Sequence, residues 1–169
     1  MGKSEQGVRA GASRYAVIPR VLVFVFNRGD VLLLKGAPTK RIWANRYNGV
    51  GGHVEAHEDV YTAARREVRE ETGLVVRDLR LRGVVSIDVG EPVGIMMFVF
   101  SAHSAQRETI ASREGALFWL SVGRLPEKDL VEDLPILLAR ISSMGDGTPP
   151  FFARYWYDQA GRLQIDFAG

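Results

Sequence analysis

Arg66, Glu67, Glu70 and Glu71 close a stretch, Gly52 to Leu74, whose carboxylates fall where a helix gains least from them. At ~100° per residue, Glu67 and Glu71 share an angular sector with Val60, Ala63 and Ala64. A stripe that begins small and apolar therefore ends in charge. Glu67 and Glu71 repel at i,i+4, Glu67 and Glu70 at i,i+3, and negative charge near a helix C-terminus opposes the macrodipole. Such a cluster calls for a counter-charge, and a divalent cation supplies it economically. Magnesium takes hard oxygen ligands, retains several waters and bridges carboxylates to substrate phosphates. Taken alone, Arg-Glu-x-x-Glu-Glu has a plainer reading: a solvated helix face with Arg66 paired to Glu70. The wider spacing decides between the two.

That spacing is Gly52, five residues, Glu58, seven residues, then Arg66-Glu67-Val68 with Glu70-Glu71 and Gly73-Leu74. All nine specified positions match the signature box of the Nudix hydrolases, at chance odds of roughly one in ten million. The chain therefore resembles that family over about residues 17–167. The resemblance implies an α/β (α+β) fold, a Nudix-type α/β/α sandwich with a mixed β-sheet. It also implies metal-dependent hydrolysis of a nucleoside diphosphate linked to another group. Glu67 and Glu71 then become the principal metal ligands, with Glu70 completing the cluster and Gly51 giving its carbonyl oxygen. A glycine at 51 lets the backbone come close to an ion or phosphate. Arg66 would orient the glutamates and Glu58 would brace the loop. Glu114 occupies the place of a further carboxylate from beyond the box, as ligand or general base, with Glu67 competing for the base role. The alternative for Glu114 is a plain surface residue. His53 either touches phosphate or simply continues the loop, and Glu55 fits loop structure slightly better than chemistry. His57 and His103 read as surface residues.

Outside the box, the chain resembles the MutT-like triphosphatases that remove oxidised purine nucleotides. The matches are Tyr47-Asn-Gly-Val-Gly-Gly52, Val89-Gly-Glu-Pro92, Lys128-Asp-Leu130 and an aromatic C-terminal hairpin. By that resemblance Asn48 and Asp133 read the purine edge, an amide and a carboxyl offering a fixed donor and acceptor pattern. Trp43, Ile42 or Tyr47 would pack on the ring. The plain alternatives are a turn at Asn48 and a helix cap at Asp133. Val131-Glu132-Asp133-Leu134 departs from the subgroup, lacking its tryptophan and carrying Leu134 in place of its second acid, unless Glu132 substitutes. The expected reaction is release of nucleoside monophosphate and pyrophosphate from a triphosphate of the 8-oxo-dGTP kind, with Mg2+ and with Mn2+ also accommodated. ADP-ribose, a dinucleoside polyphosphate or a nucleotide sugar are the alternative substrates, and a non-catalytic nucleotide sensor is the alternative class.

Positioning these residues takes a helix over about 59–72 stopped by Gly73 and strands around it. Val21–Phe26 and Val31–Leu34 flank Asn27-Arg-Gly-Asp30, a hairpin, and both are apolar enough to be covered on both faces. Lys35 to Asn48 reads as irregular. Further strands are expected at Leu79–Arg82, Val84–Val89, Gly94–Ser101 and Leu117–Leu120, a second helix at Leu134–Ile141, and a last hairpin at Phe151–Asp158 and Arg162–Phe167. Helices on both faces of a mixed sheet follow. The 169 residues, 46% apolar and 25% charged, suit one domain at 15–169 behind a disordered tail at 1–14. A formal charge of +2 argues against polymeric nucleic acid, so the expected partner is a nucleotide. With no cysteine, thiolate zinc and disulfides are excluded. No apolar run spans a membrane, and the expectation is a cytoplasmic monomer or homodimer.

Overall fold

The computed structural model describes residues 14–125 and 129–169, so the expected tail over 1–14 and the Lys128 match lie outside it, save for Arg14. Eight strands form one mixed sheet: β1 (Ala16–Asn27), β2 (Asp30–Gly36), β3 (Tyr47–Asn48), β4 (Arg77–Ile87), β5 (Val93–His103), β6 (Gly115–Ser121), β7 (Phe151–Tyr157) and β8 (Leu163–Phe167). The order is β3-β2-β1-β5-β4-β7-β8, with β6 along the other edge of β2. Pairings β1–β5 and β4–β7 are parallel and the others antiparallel. Helices α1 (Val60–Thr72) and α2 (Leu134–Ser143) cover opposite faces. This is the α/β/α sandwich expected.

Period-two alternation along β1 divides the core. Val21, Val23 and Val25 pack under α1 with Ala63, Ala64 and Val68. Leu22 and Phe24 pack under α2 with Leu134, Leu137, Leu138 and Ile141. Both faces are filled, which is why the two hairpin runs are continuously apolar.

The feature that builds the site is a fork. β1 and β2 pair only near their turn, from Val25↔Leu32 to Asn27↔Asp30, and then splay. The segment 47–53 fills the gap: Asn48 and Tyr47 pair with Leu34 and Lys35 of β2, while Val50 and His53 bridge to Val23 and Arg20 of β1. Val23 and Val50 exchange both amide bonds, at 2.7 and 3.1 Å, and Val21 N donates to Gly52 O at 2.9 Å. The irregular stretch thus ends in a short strand that the sequence pattern does not announce, because two residues show no periodicity.

Two other elements differ from expectation. The separate runs Leu79–Arg82 and Val84–Val89 are one strand, β4, whose register against β5 shifts between Leu81 and Gly83; the irregularity reads in sequence as a break. It ends at Ile87, short of Val89. The Val21 run begins earlier, at Ala16, on exposed residues carried by parallel pairing to β5.

Candidate active site

Helix α1 is held at both ends. Asp59 caps its start, its carboxylate accepting from Tyr61 N at 2.8 Å and Thr62 N at 2.9 Å. Gly73 ends it in the left-handed region at φ 75°, returning its N–H to Arg69 O. Between these caps the apolar face buries Ala63, Ala64 and Val68, and the next position on that face is Glu71, only 9% exposed.

Burial pushes the Glu71 carboxyl up to about 7, and the neighbouring Glu67 charge adds to this. Its partner is the Gly51 amide, which donates at 3.3 Å. Val50 and Gly52 use their peptide groups on β1, so Gly51 between them turns its amide toward the helix. Glu67 is also raised, chiefly by burial, although Arg66 pulls the other way. Gly52 lies directly over the Glu67 carboxylate, and a Cβ there would come within 2.7 Å of its carboxyl carbon. A larger residue there would push the Glu67 carboxylate out of its place beside β1.

Arg66 organises the rest. It forks onto Glu58 at 2.7 and 3.2 Å, and reaches Glu67 at 2.9 Å, Glu70 at 3.0 Å and the His53 carbonyl at 3.0 Å. Glu58 in turn accepts from Glu55 N at 2.8 Å, and so braces the turn before α1. One guanidinium therefore ties the helix, its entering turn and the glycine loop together.

These groups face a cavity of about 690 Å³ whose wall includes Gly51, Glu67, Glu71, Glu114, Asn48 and Trp43. Glu114 enters from the loop before β6, which Ala37 N grips through the Glu114 carbonyl at 3.0 Å, and its carboxylate is ion-paired to Lys40. A smaller hollow of about 380 Å³ lies against α1 beside Tyr61, Arg65 and Arg69, with no carboxylate in its lining.

Not every expected residue reaches the cavity. Glu70 stands off it: its side chain is 60% exposed and turned to Arg66, because its helical angle points about 60° away from Glu67 and about 100° away from Glu71. Tyr47 is also off the wall. Alternation in β3 sends it to the face opposite Asn48, where its ring meets Phe118 at 5.7 Å and Lys35 Nζ at 4.9 Å. Asn48 is on the wall, with its side-chain oxygen accepting from Gly49 N at 2.8 Å. Asp133 is not; it heads α2 without a side-chain capping bond, beside Tyr155 and Tyr157, and burial lifts its carboxyl to about 6. Asp133 lies close behind the wall: Tyr157, which feels its charge, lines the cavity, and Tyr47 next to Asn48 bridges to Leu130 and accepts from Val131 N. His53 and Ile42 line the cavity as well. Lys40, Arg41 and Arg20 line it too, and sequence reasoning passed over them because single cations on a loop or strand carry no motif.

Partly buried Glu67 and buried Glu71, with Glu114 and the Gly51 backbone on the same cavity wall, form an oxygen-only donor set of the kind a hard divalent ion takes. As the side chains stand, no three acidic or histidine groups among the described residues converge tightly enough to enclose one. Arg66 holds Glu67, and Lys40 holds Glu114.

A carboxylate-ended helix facing a glycine loop, inside a two-helix mixed sandwich, defines the Nudix fold. The NUDIX domain model matches residues 17–141, and the chain belongs to the Nudix family, as a pyrophosphohydrolase. It is 34% identical over 124 residues to an oxidized purine nucleoside triphosphate hydrolase of Mus musculus, covering 70% of this chain and 78% of that one. The Danio rerio protein of the same name is 31% identical over 129 residues, covering 73% and 81%. The fold is similar to that of a Bacillus halodurans MutT protein, with a TM-score of 0.75 at 22% identity over 89% of this chain and 97% of that one. No helix among the described residues is long and apolar enough to cross a membrane.

Proposed function

We propose that the protein is a magnesium-dependent nucleoside triphosphate pyrophosphohydrolase acting on oxidised purine nucleotides of the 8-oxo-dGTP class. The observation that carries the metal-dependent part is Glu71: a buried carboxylate beside a second carboxylate, with a single backbone amide for company. Burying such charges without compensation is costly, and a cation removes the cost. The purine part is supported by the names of the two vertebrate relatives.

Glu67, Glu71, Glu114 and the Gly51 carbonyl are the groups we assign to hold Mg2+, with Mn2+ an acceptable substitute. Glu70 would join them only by releasing Arg66. When bound, the ion neutralises phosphate charge and acidifies a coordinated water. The chain's own part is threefold. Arg66 fixes Glu67 against Gly52, so the carboxylate meets the phosphates already oriented. Whichever carboxylate of the Glu67 and Glu114 pair is left free of the ion takes the proton of the attacking water. Trp43 and Asn48, both on the cavity wall, pack on and contact the base, with Asp133 close behind Tyr157 of that wall.

The experiment is pyrophosphate and phosphate release with Mg2+ across 8-oxo-dGTP, 2-oxo-dATP, the normal dNTPs, ADP-ribose and a diadenosine polyphosphate. Pyrophosphate released preferentially from an oxidised purine is the expected result. Preference for ADP-ribose or the dinucleotide would discard the base assignment, and no turnover with Mg2+ or Mn2+ would discard the catalytic one.

A further inference from the structure

Two buried side-chain polar atoms lack a hydrogen-bond partner among the described residues, and one of them, Arg20 Nε, belongs to a cavity-lining residue. Arg20 as a whole is only partly buried; it is this one nitrogen that is closed off, and an unsatisfied buried donor costs more than an average hydrogen bond returns. Arg20 nevertheless lines the cavity, and its guanidinium makes no hydrogen bond or ion pair to any described residue, which leaves it open to an acceptor that arrives with a ligand.

Strand geometry says which part of the ligand. Glu67, Glu71 and the Val21 side chain lie on the α1 face of β1. Arg20 alternates with Val21 and so projects from the opposite face, the one carrying Leu22. Its neighbour in register is Met97 of β5, and Ile95 and Ile87 continue the same face across β5 and β4. All four of these apolar residues line the cavity. Arg20 is therefore a donor set into the edge of an apolar floor, away from the carboxylates that face the phosphates. A flat heterocycle covers such a floor, and a guanidinium at its edge meets the heterocycle's rim. Arginine pairs there with carbonyl oxygen and ring nitrogen acceptors, whereas an exocyclic amino group presents it with another donor.

We propose that Arg20 is the specificity-determining residue of the base pocket, donating to an exocyclic carbonyl oxygen of the purine. The pocket then selects oxo-purines, guanine and its 8-oxo form, over adenine. The inference rests on the purine-nucleotide reading above and extends it to one atom.

Equilibrium binding without metal tests it, using dGMP, 8-oxo-dGMP and dAMP, together with the phosphate-free nucleoside deoxyguanosine. The wild-type protein should bind the oxo-purine monophosphates roughly tenfold or more tighter than dAMP. Arg20→Met should erase most of that gap, weakening the oxo-purines and deoxyguanosine while leaving dAMP within about twofold. Arg20→Lys, which keeps the charge without the planar fork, should restore binding only in part and serves as the folded control if the Met variant is unstable. Equal weakening of all three monophosphates with deoxyguanosine unaffected would make Arg20 a phosphate contact and overturn the proposal. So would an Arg20→Met variant that discriminates as well as wild type. Base selection by Arg20 in a protein that turns over no triphosphate would sink the hydrolase reading and leave this one standing.

Discussion

Glu71 illustrates how one residue can be wrong for the fold and right for the reaction. It occupies an apolar position of α1, is buried, and sits beside Glu67. Glu71→Gln removes the repulsion and the desolvated charge while keeping the shape. The metal-free variant should therefore melt at the same temperature as wild type or higher. Its turnover should fall roughly a hundredfold or more, since residues one layer further out already cost 10–100-fold in metal sites. Melting curves and steady-state rates on one preparation check both halves; a variant that unfolds would make Glu71 structural. This residue was legible in the sequence because an acidic side chain broke an apolar period. Arg20 was not, since an isolated arginine before an apolar run looks like a strand end. The turning away of Glu70 follows from the same helical period that groups Glu67 with Glu71, but the motif, which records only which residues recur, places it with them.

At the scale of elements, the catalytic helix depends on where it stops. Gly73 holds φ 75°, and a Cβ there would meet Ile110 Cγ2 at 2.9 Å. Gly73→Ala should cost about 1–2 kcal/mol from the left-handed backbone alone, measurable as a drop in denaturant midpoint at unchanged slope. A loss near zero would mean that the helix finds another end. Both helices and most strands could be located from periodicity and punctuation, because their apolar faces are long. β3 could not: it exists by filling the gap that β1 and β2 leave, a tertiary cause with no local pattern. Tyr47 was misassigned for the same reason, since its facing follows from the pairing with Lys35.

The whole molecule carries the site's charge as a pH-dependent stability. Burial lifts the Glu71 carboxyl to about 7 in the folded protein, from the 4.5 of an ordinary glutamate. Between those values the folded state keeps a proton that the unfolded chain has released. Unfolding free energy should therefore fall as pH rises from about 4.5 to about 7, then level off. Mg2+ needs the carboxylate ionised, so its stabilisation of the protein should be larger at pH 8 than at pH 5.5. Thermal melts with and without Mg2+ at both pH values test this, and an equal shift at both would exclude Glu71 as a ligand. A last consequence follows from the fork between β1 and β2. Residues 47–53 are fastened to strands on both sides, whereas the preceding loop is tied at its base, where Gly36 N meets Arg46 O at 3.0 Å and Asn45 N meets Gly36 O at 2.9 Å, and otherwise through Ala37 and Lys40 to Glu114. That loop supplies Lys40, Arg41, Ile42 and Trp43 to the cavity. The enzyme is thus divided into a wall that can be rewritten and a wall that cannot. Insertions between Ala37 and Asn45 can redirect it to new nucleotides while the hydrolytic machinery stays in register, which makes this loop the natural place for both evolution and engineering to exchange one substrate for another.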